Sequence, residues 1–380
     1  MRTCSYILFL SLPFCMFSCH NNQSVEKRKH AIGIDLEKKQ EVSLYDFFSK
    51  VEIIPLETTD SVVMGDPVME MRVNNGEYYF TCAKQQCIWH FDKNGHFIQQ
   101  INHYGSGPNE YSEISDFRFN RFTDNLEILS PWGYINIYDH SGNTFKNKIS
   151  FNREKINVVH NFIELTPHSY LLFSDAGKGN KMHWYDTEKN DVIAETYDLP
   201  EFLFFNTPYH NTFTPFYCYN DSVRFVQAYN GDVFTATTEG ELKSTYRFDF
   251  GEYNFDISTL EEKPIEYYIV HSSTTGAKYV NRFITYGENS KYYMTRFKFH
   301  NRLYHLLLDK RKGKVYCFNK LKEDCFCFPL CMDEKALYFV ASPDELNMAI
   351  NKDILSVEDK KKQEAISPND NHIVIKYTFK

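Results

Sequence analysis

The sequence predicts an all-β protein, a six-bladed β-propeller whose ring is closed by a strand from the N-terminal part of the chain. Two observations lead to this prediction. Aromatic residues make up 17% of the 380 residues, and together with Val, Ile and Thr they favour half-buried pleated sheet. Strand-like runs also close on similar turns at a constant interval of about 47 residues, which matches one four-stranded propeller blade.

Three similar turns define the interval. They begin at Asp92, Asp139 and Asp186, and each follows an aromatic residue that ends a strand-like run. Every unit contains three such runs with turn-forming residues between them, as residues 78–101 illustrate. The turns lack the distal Glu and the dense acidic residues of a calcium-binding loop, so we expect them to reverse the chain direction and not to bind calcium.

Three further units follow, at residues 222–248, 291–318 and 336–379. The step before the fifth unit is longer by about 25 residues, which indicates an insertion. Pro264 within this insertion favours a short helix through residues 266–270. A second helix is expected after Ser342, because a serine followed by proline and acidic residues is typical of a helix N-terminus.

One strand-like run, residues 51–56, precedes the first unit and has no unit of its own. A propeller closes its ring when such a strand completes the blade that the other end of the chain builds, here with residues 373–379. Six units and a closing strand therefore predict six blades, and seven blades is the alternative.

The first 18 residues resemble an export signal. Arg2 precedes an apolar core, residues 6–14, which is too short to remain as a membrane span. The signal ends at Met16-Phe17-Ser18-Cys19, which resembles a lipoprotein cleavage site, so we expect lipidation of Cys19 and attachment to a membrane. The alternative is an ordinary cleaved signal that leaves Cys19 as a thiol. We expect residues 19–42 to form a flexible tether and residues 43–380 a single propeller domain.

The charge of the chain excludes one class of partner. The formal net charge is −8 at pH 7, and removal of the signal makes it one unit more negative. Nucleic-acid-binding proteins present a basic face, so no nucleic-acid partner is expected. The sequence also contains no phosphate-binding glycine loop, and no cofactor is expected.

The cysteines allow two interpretations. Cys82 and Cys87 flank a four-residue turn between two strand-like runs, so they either form a disulfide across the hairpin or act as small buried apolar residues. Cys325, Cys327 and Cys331 lie close together in sequence, but the paired C-x-x-C spacing of structural zinc sites is absent and no histidine is near. No metal site is expected there.

Three stretches carry a resemblance to a known family, and they lie at residues 53–59, 104–111 and 370–377. The middle stretch has the form G-x-G-P-x-E-Y and is followed by Asp116-Phe117. Together they resemble the six-bladed β-propeller lipoproteins, related to NHL-repeat propellers, of polysaccharide-degrading anaerobic Gram-negative bacteria. The chain departs from that family at Tyr104, where a basic or small residue is more common, and at His372, where proline is common. The resemblance implies fold and export rather than a particular activity.

Candidate ligand contacts come from three loops. Their shared property is a polar or aromatic side chain outside the repeated positions: His103, Tyr104, Asn109, Glu110, Trp132, Tyr209 and His210. The connection that holds the first four also has a structural interpretation, in which glycines allow a tight crossing, Glu110 accepts backbone N–H groups and Tyr111 wedges between sheets. Trp89 and Trp184 occupy matched positions in successive units, which indicates core packing.

Two functions remain open. The first is a lipid-anchored binding or scaffolding module of the cell envelope whose partner is a carbohydrate, a peptide or a protein. The second is a glycan hydrolase or lyase whose active site lies at the mouth of the propeller channel. We find no local catalytic motif, so the sequence favours binding over catalysis. No acidic run follows Cys19, which favours the periplasmic side of the outer membrane over the cell surface.

Overall fold

The computed structural model describes residues 31–38, 40–156, 158–174, 180–198, 201–203, 215–325 and 329–380. Within this part of the chain, six four-stranded antiparallel sheets form the blades of a propeller. The predicted fold class and number of blades are therefore confirmed. A hydrophobic cluster fills each of the six interfaces between neighbouring blades, so the aromatic content of the sequence is used chiefly for packing one blade on the next.

Two strands precede the first blade, β1 (Ile32–Gly33) and β2 (Phe48–Pro55). The first three blades follow in simple chain order. Their strands are β3 (Val68–Asn74), β4 (Glu77–Cys82), β5 (Gln85–Phe91), β6 (Phe97–Ile101), β7 (Asp116–Phe119), β8 (Leu126–Ser130), β9 (Tyr134–Tyr138), β10 (Phe145–Ser150), β11 (Asn161–Thr166), β12 (Ser169–Phe173), β13 (Asn180–Asp186) and β14 (Asp191–Asp198).

The remaining strands build blades 4 to 6 and one short parallel pair between β1 and β19. They are β15 (Phe216–Tyr219), β16 (Ser222–Val226), β17 (Val233–Ala236), β18 (Leu242–Tyr246), β19 (Phe248–Asp249), β20 (Asn281–Glu288), β21 (Tyr292–Phe299), β22 (Arg302–Asp309), β23 (Lys314–Phe318), β24 (Pro329–Met332), β25 (Ala336–Ala341) and β26 (Ile373–Phe379).

Short helices lie between the strands. The α-helices are α1 (Ile265–Ser273), α2 (Leu346–Ala349) and α3 (Val357–Ala365), and the 3-10 turns are Leu44–Asp46, Glu201–Leu203, Gly251–Tyr253, Ile257–Thr259, Gly276–Lys278 and Lys352–Ile354. Helix α1 confirms the predicted helical insertion, and Pro264 is its N-cap. Among the described residues, no helix is both long and apolar enough to cross a membrane.

The N-terminal strand closes the ring as predicted. β2 forms the outer strand of blade 6, where it pairs with β26 and completes the order β24, β25, β26, β2. Ile53 lies opposite Ile375 in this pair, and both side chains are fully buried. Because β2 and β26 belong to the same sheet, the ring cannot open without breaking the backbone hydrogen bonds between these two strands.

The first strand of each blade lies at the centre of the ring. β15 contacts β11 and β20, and β24 contacts β20 and β3, so these strands surround a central channel. We call the end of the channel where the inner strands begin the mouth end, and the end where they finish the exit end. The sequence pattern predicts the three outer strands of each blade and none of the six inner strands.

The repeated turns lie between the third and fourth strands of their blades. In each turn an Asp carboxylate accepts two backbone N–H groups, with N···O distances of 2.8 and 2.9 Å at Asp92, 2.9 and 3.1 Å at Asp139, and 3.0 and 3.0 Å at Asp186. The Asp residues therefore act as turn formers, as expected from the sequence.

The predicted tether boundary is wrong. Ile32 and Gly33 pair with β19, and Val42 bridges Leu321 and is 1% exposed. The segment from residue 31 onward therefore lies on the propeller, because its apolar side chains find partners between blades. Residues 19–30 of the predicted tether lie outside the described residues.

Candidate functional site

Charged side chains collect along the central channel. β3 contributes Glu70 and Arg72, β7 contributes Asp116 and Arg118, and β20 contributes Glu288. β3 and β7 carry the same acidic-x-Arg pattern, and the other inner strands do not repeat it. A set of unlike polar residues brought together by separate blades is typical of a functional surface on a repeat scaffold.

A row of ion pairs joins the inner strands of blades 1 and 2. Arg72 Nη2 lies 3.0 Å from Asp116 Oδ1 and also contacts the carboxyl group of Glu70. Asp116 Oδ2 accepts the backbone N–H of Phe162 at 3.2 Å and lies 3.5 Å from Arg118 Nε. The side chain of Asp116 is fully buried, so its two oxygens tie three blades together at the channel.

Glu70 lies beside Asp116 and has a strongly shifted pKa. Burial raises the pKa of the Glu70 carboxyl to about 8, with the nearby charges of Arg72 opposing the shift and Asp116 adding to it. The carboxyl is therefore largely protonated at neutral pH and can donate a hydrogen bond. Asp116 has no spare oxygen with which to act as a partner base, so the pair is not arranged as two working carboxyls of a hydrolase.

A second buried carboxyl lies between blades 2 and 3. Glu127 Oε1 accepts hydrogen bonds from Tyr170 Oη and Asn120 Nδ2, both at 2.8 Å. Burial raises the pKa of Glu127 to about 7, against these two hydrogen bonds and with a contribution from the charge of Glu164. The residue is 1% exposed, so its side chain does not reach a ligand. Its charge state instead affects the stability of the blade interface.

A polar cavity opens at the mouth end. Its volume is about 370 Å³, and its lining comes from the inner strands of blades 1 and 3, the approach to β7 and the turn between β4 and β5. The polar lining residues are Glu70, Thr81, Lys84, Gln85, Gln86, Ser115 and Asn161. Hydroxyl, amide, ammonium and carboxyl groups from three blades thus converge on one cavity, which can hydrogen-bond a polar ligand. We call this cavity the channel mouth.

The described part of the chain holds no group of three or more His, Cys, Asp or Glu side chains placed to bind a metal ion. Cys325 and Cys331 belong to this part, and Cys327 lies outside it.

The predicted connection has a structural role. Glu110 Oε2 accepts the backbone N–H of Gly107 at 2.6 Å, and Tyr111 is fully buried, with its hydroxyl 3.0 Å from the carbonyl oxygen of Gln86. A Cβ atom on Gly105 would collide with the Glu110 carboxylate, so the glycine is required for this close approach.

The other predicted residues of the connection also make local contacts. His103 Nε2 lies 2.7 Å from the carbonyl oxygen of Gly142, and its ring stacks on Tyr138 at 4.5 Å. The Tyr138 hydroxyl donates to the carbonyl oxygen of Asn109 at 2.8 Å, whereas Tyr104 is 60% exposed. None of these residues lines the channel mouth, and Tyr104 and Asn109 are the two of the four that are exposed.

The predicted tryptophans divide as expected. Trp132 is 48% exposed in the turn between β8 and β9, so it remains a candidate contact, while Trp89 and Trp184 are buried. The indole of Trp89 donates to Gln85 Oε1 at 3.0 Å and that of Trp184 to the carbonyl oxygen of Thr237 at 2.7 Å. Tyr209 and His210 lie outside the described residues.

The disulfide is not formed. Cys82 and Cys87 are both buried free thiols. The strand register pairs Cys82 with Gln85, and the sulfur of Cys87 instead accepts a hydrogen bond from Gln100 Nε2 at 3.1 Å. The two cysteines therefore act as small core residues, which was the alternative interpretation of the sequence.

The charged residues of the channel were not predicted, because the inner strands that carry them were not predicted. Their signal was present as two short alternating charge pairs, Glu70-x-Arg72 and Asp116-x-Arg118, which place both charges of a pair on one side of a strand. Such pairs are common on solvated surfaces, so they cannot be distinguished in sequence from ordinary surface charges.

A family described as a domain of unknown function, DUF4934, matches residues 30–378. The chain belongs to this family. A comparison with proteins of curated function finds no match.

Two solved structures resemble this DUF4934 protein. A protein from Bacteroides fragilis that is described as exported is 17% identical, with a TM-score of 0.74, over 92% of this chain and 99% of the other. A member of the DUF4221 family from Bacteroides vulgatus is 10% identical, with a TM-score of 0.52, over 88% of this chain and 97% of the other. At these identities the likeness shows the fold alone.

Proposed function

We propose that this DUF4934 protein is an exported, lipid-anchored propeller that binds a partner at the channel mouth. Three observations support the location: the apolar core of residues 6–14, the cleavage-site resemblance ending at Cys19, and the structural likeness to a Bacteroides fragilis protein described as exported. The chain then faces the periplasm from the outer membrane. Its function there is recognition of a carbohydrate, a peptide or an envelope protein.

The observation that carries the binding function is the lining of the channel mouth. Side chains of three blades meet there, and the set combines hydroxyl, amide and ammonium groups with the protonated carboxyl of Glu70. These groups suit a ligand with many hydroxyls, because each can donate or accept a hydrogen bond without requiring a charged partner. A carbohydrate is therefore the first partner to test.

The test is a glycan and peptide array probed with the purified chain, followed by titration of any hit. Lys84 lines the mouth, and Lys93 is an exposed lysine of the same blade in a turn at the exit end. We expect Lys84→Ala to weaken binding of the hit by roughly three- to tenfold, the value of one lost hydrogen bond, and Lys93→Ala to leave it unchanged. Equal effects of both variants, or no hit on either array, would remove the support for a binding site at the mouth.

One observation favours the second function, a glycan hydrolase or lyase. Glu70 has a pKa of about 8 because it is buried, so it is protonated at neutral pH as a general acid must be. Each glycan that binds is therefore incubated with the protein and the products are separated by chromatography. Turnover that disappears in Glu70→Gln would establish the enzyme, and binding without turnover supports the module.

Lipidation has its own test. Cells grown with labelled palmitate are expected to label the wild-type chain and Cys15→Ser but not Cys19→Ser, because Phe14 is too large for the residue before a lipidated cysteine. Protease added to whole cells should leave the chain intact if it faces the periplasm. Labelling of Cys19→Ser would show that the anchor lies elsewhere.

A further inference from the structure

A mostly apolar cavity lies between blades 6 and 1, at the mouth end of the ring. Its volume is about 440 Å³, and small-molecule sites commonly have volumes of about 300–1,000 Å³. The lining comes from blade 1 near the start of β3 and from blade 6, including helix α2. Its members are Asp66, Pro67, Val68, Leu330, Phe339, Val340, Glu345, Met348, Ala349 and His372. We call this cavity the interblade pocket, and it shares no lining residue with the channel mouth.

The apolar part of the lining is open to a ligand. Leu330 is 38% exposed and Met348 is 71% exposed, so a bound apolar group would remove their surface from water. The side chain of methionine is flexible and polarisable, and it therefore adapts to ligands of different shape. The interblade pocket thus offers a contact surface for the apolar body of a ligand.

The charged part of the lining is acidic and also accessible. The side chain of Asp66 is 75% exposed, and Glu345 is exposed as well. The only basic group of the lining is the imidazole of His372, whose Nε2 lies 3.2 Å from Asp66 Oδ1, and no lysine or arginine belongs to it. Two carboxylates outnumber one imidazole, so the formal charge of the lining is negative whether or not the imidazole is protonated.

Glu345 is only partly used by the protein. Within the described residues, its Oε2 accepts the backbone N–H of Ser342 at 3.3 Å, a long hydrogen bond, and its carboxylate forms no ion pair with a lysine or arginine. A ligand cation would supply that missing partner. An anionic ligand would instead meet two carboxylates at the same cavity.

We propose that the interblade pocket binds an amine with an apolar body. The ammonium group interacts with the carboxylates of Asp66 and Glu345, and the apolar body packs against the exposed apolar side chains of the lining. This combination of an apolar wall and accessible carboxylates complements a ligand of that kind in both polarity and charge. The proposal is independent of the proposed function, because the channel mouth is lined by other residues.

The test compares three probes with the same carbon skeleton and different charge: 4-phenylbutylamine, 4-phenylbutan-1-ol and 4-phenylbutyrate. Saturation-transfer NMR on their aromatic protons, at pH 7 and constant ionic strength, measures the binding of each probe to the full chain. We expect the amine to bind about tenfold more tightly than the alcohol, and the carboxylate to bind most weakly. No binding of the amine, or binding of either other probe as tight as that of the amine, would overturn the proposal.

Two charge variants locate the ammonium group. Asp66→Asn and Glu345→Gln keep the shape of each side chain, and each is expected to weaken binding of the amine about two- to fivefold, as for loss of one exposed ion pair. Binding of the alcohol should stay unchanged in both variants, which shows that the pocket is intact. The control is Asp221→Asn, which removes an exposed carboxylate in the turn between β15 and β16 at the exit end and is expected to have no effect. Unchanged binding of the amine in the double variant of Asp66 and Glu345 would contradict the assignment.

A third variant locates the apolar body. Met348→Ala removes exposed apolar surface from the lining, so it is expected to weaken binding of the amine and the alcohol by the same factor, about threefold. The side chain is largely exposed, so the variant should fold as the wild type does. Unchanged binding of both probes in Met348→Ala would show that they bind elsewhere and would overturn the proposal.

Discussion

The carboxylates of the outer turns and those inside the ring have opposite acid–base behaviour. Asp139 lies in a turn, where hydrogen bonds outweigh a small effect of burial: the N–H groups of Thr144 and Asn143 and the Ser141 hydroxyl lower its pKa to about 2. Glu70 and Glu127 lie between blades, where burial raises their pKa values to about 8 and about 7. The ionised form is favoured in the first region and disfavoured in the second.

The difference shows that carboxyl groups have two separate roles in this repeat protein. The turn carboxylates recur from blade to blade, and each accepts hydrogen bonds from the backbone of its own turn. Their role is therefore to stabilise the blade. The interior carboxyls depend on partners from other blades, and the acidic-x-Arg pattern is confined to two of the six inner strands, β3 and β7.

The largest effect is expected from Gly95→Ala. Gly95 has a φ of +90°, and a Cβ atom there would collide with the backbone carbonyl oxygen of Pro55 in β2, the strand that closes the ring. Left-handed strain and overpacking against backbone together predict a loss of about 4 kcal/mol in the free energy of unfolding.

The matched control is Gly76→Ala. Gly76 has a φ of +83° and no atom within 4 Å of the added Cβ, so only the conformational strain remains, about 1 kcal/mol. Urea unfolding followed by circular dichroism measures both variants. Equal losses would mean that the turn glycines do not hold neighbouring blades together.

An intermediate effect is expected from Glu127→Gln, and it depends on pH. The folded pKa of about 7 lies above the ordinary value of 4.5, so the unfolded chain loses this proton first as the pH rises. The carboxyl therefore lowers the free energy of unfolding progressively between pH 4.5 and 7, by about 3 kcal/mol in total.

The glutamine variant should lose this part of the pH dependence and become more stable than the wild type above pH 7. Urea unfolding at pH 5, 6.5 and 8 tests it, with Glu241→Gln as an exposed control. Glu70 acts in the same direction, so some pH dependence will persist in Glu127→Gln. Parallel pH profiles of this variant and the wild type would contradict the assignment of a raised pKa.

The smallest effect is expected from Asp139→Ala. The variant loses hydrogen bonds in one exposed turn, which predicts a loss of about 1 kcal/mol at pH 7. Because the folded pKa is lowered to about 2, the contribution is present above pH 4 and is lost as the pH falls toward 2.

Unfolding at pH 7 and pH 3 measures the difference, with Asp344→Ala as an exposed control outside the turns. A difference between Asp139→Ala and the wild type that grows toward acid pH would show that the turn does not favour the ionised carboxylate.

The inner strands could not be found from local sequence, for a physical reason. Strand β7, Asp116–Phe119, is four residues long and has three buried residues in succession, because a neighbouring blade lies on each side of it. The alternation of apolar and polar residues that marks a half-buried strand is therefore absent. Its charged residues are tolerated because Arg72, from another blade, pairs with Asp116.

The connection at residues 103–111 is easier to recognise in the sequence than the inner strands, but its role is harder to predict. Its glycines and Glu110 stand out in sequence because they satisfy each other within a few residues. That same local satisfaction leaves them little to offer a ligand. The channel residues have weak local signals because their partners are distant in sequence.

Local sequence specifies the blades, because aromatic and β-branched runs and turn-forming Asp and Gly residues act through contacts with near neighbours in the chain. The N-terminal strand, which has no unit of its own, indicates how the ring closes, although its partner β26 is more than 300 residues away. Only the closed ring determines which charges face the channel and which carboxyls have raised pKa values. These properties depend on burial and on partners from other blades, and neither can be read before the ring is closed.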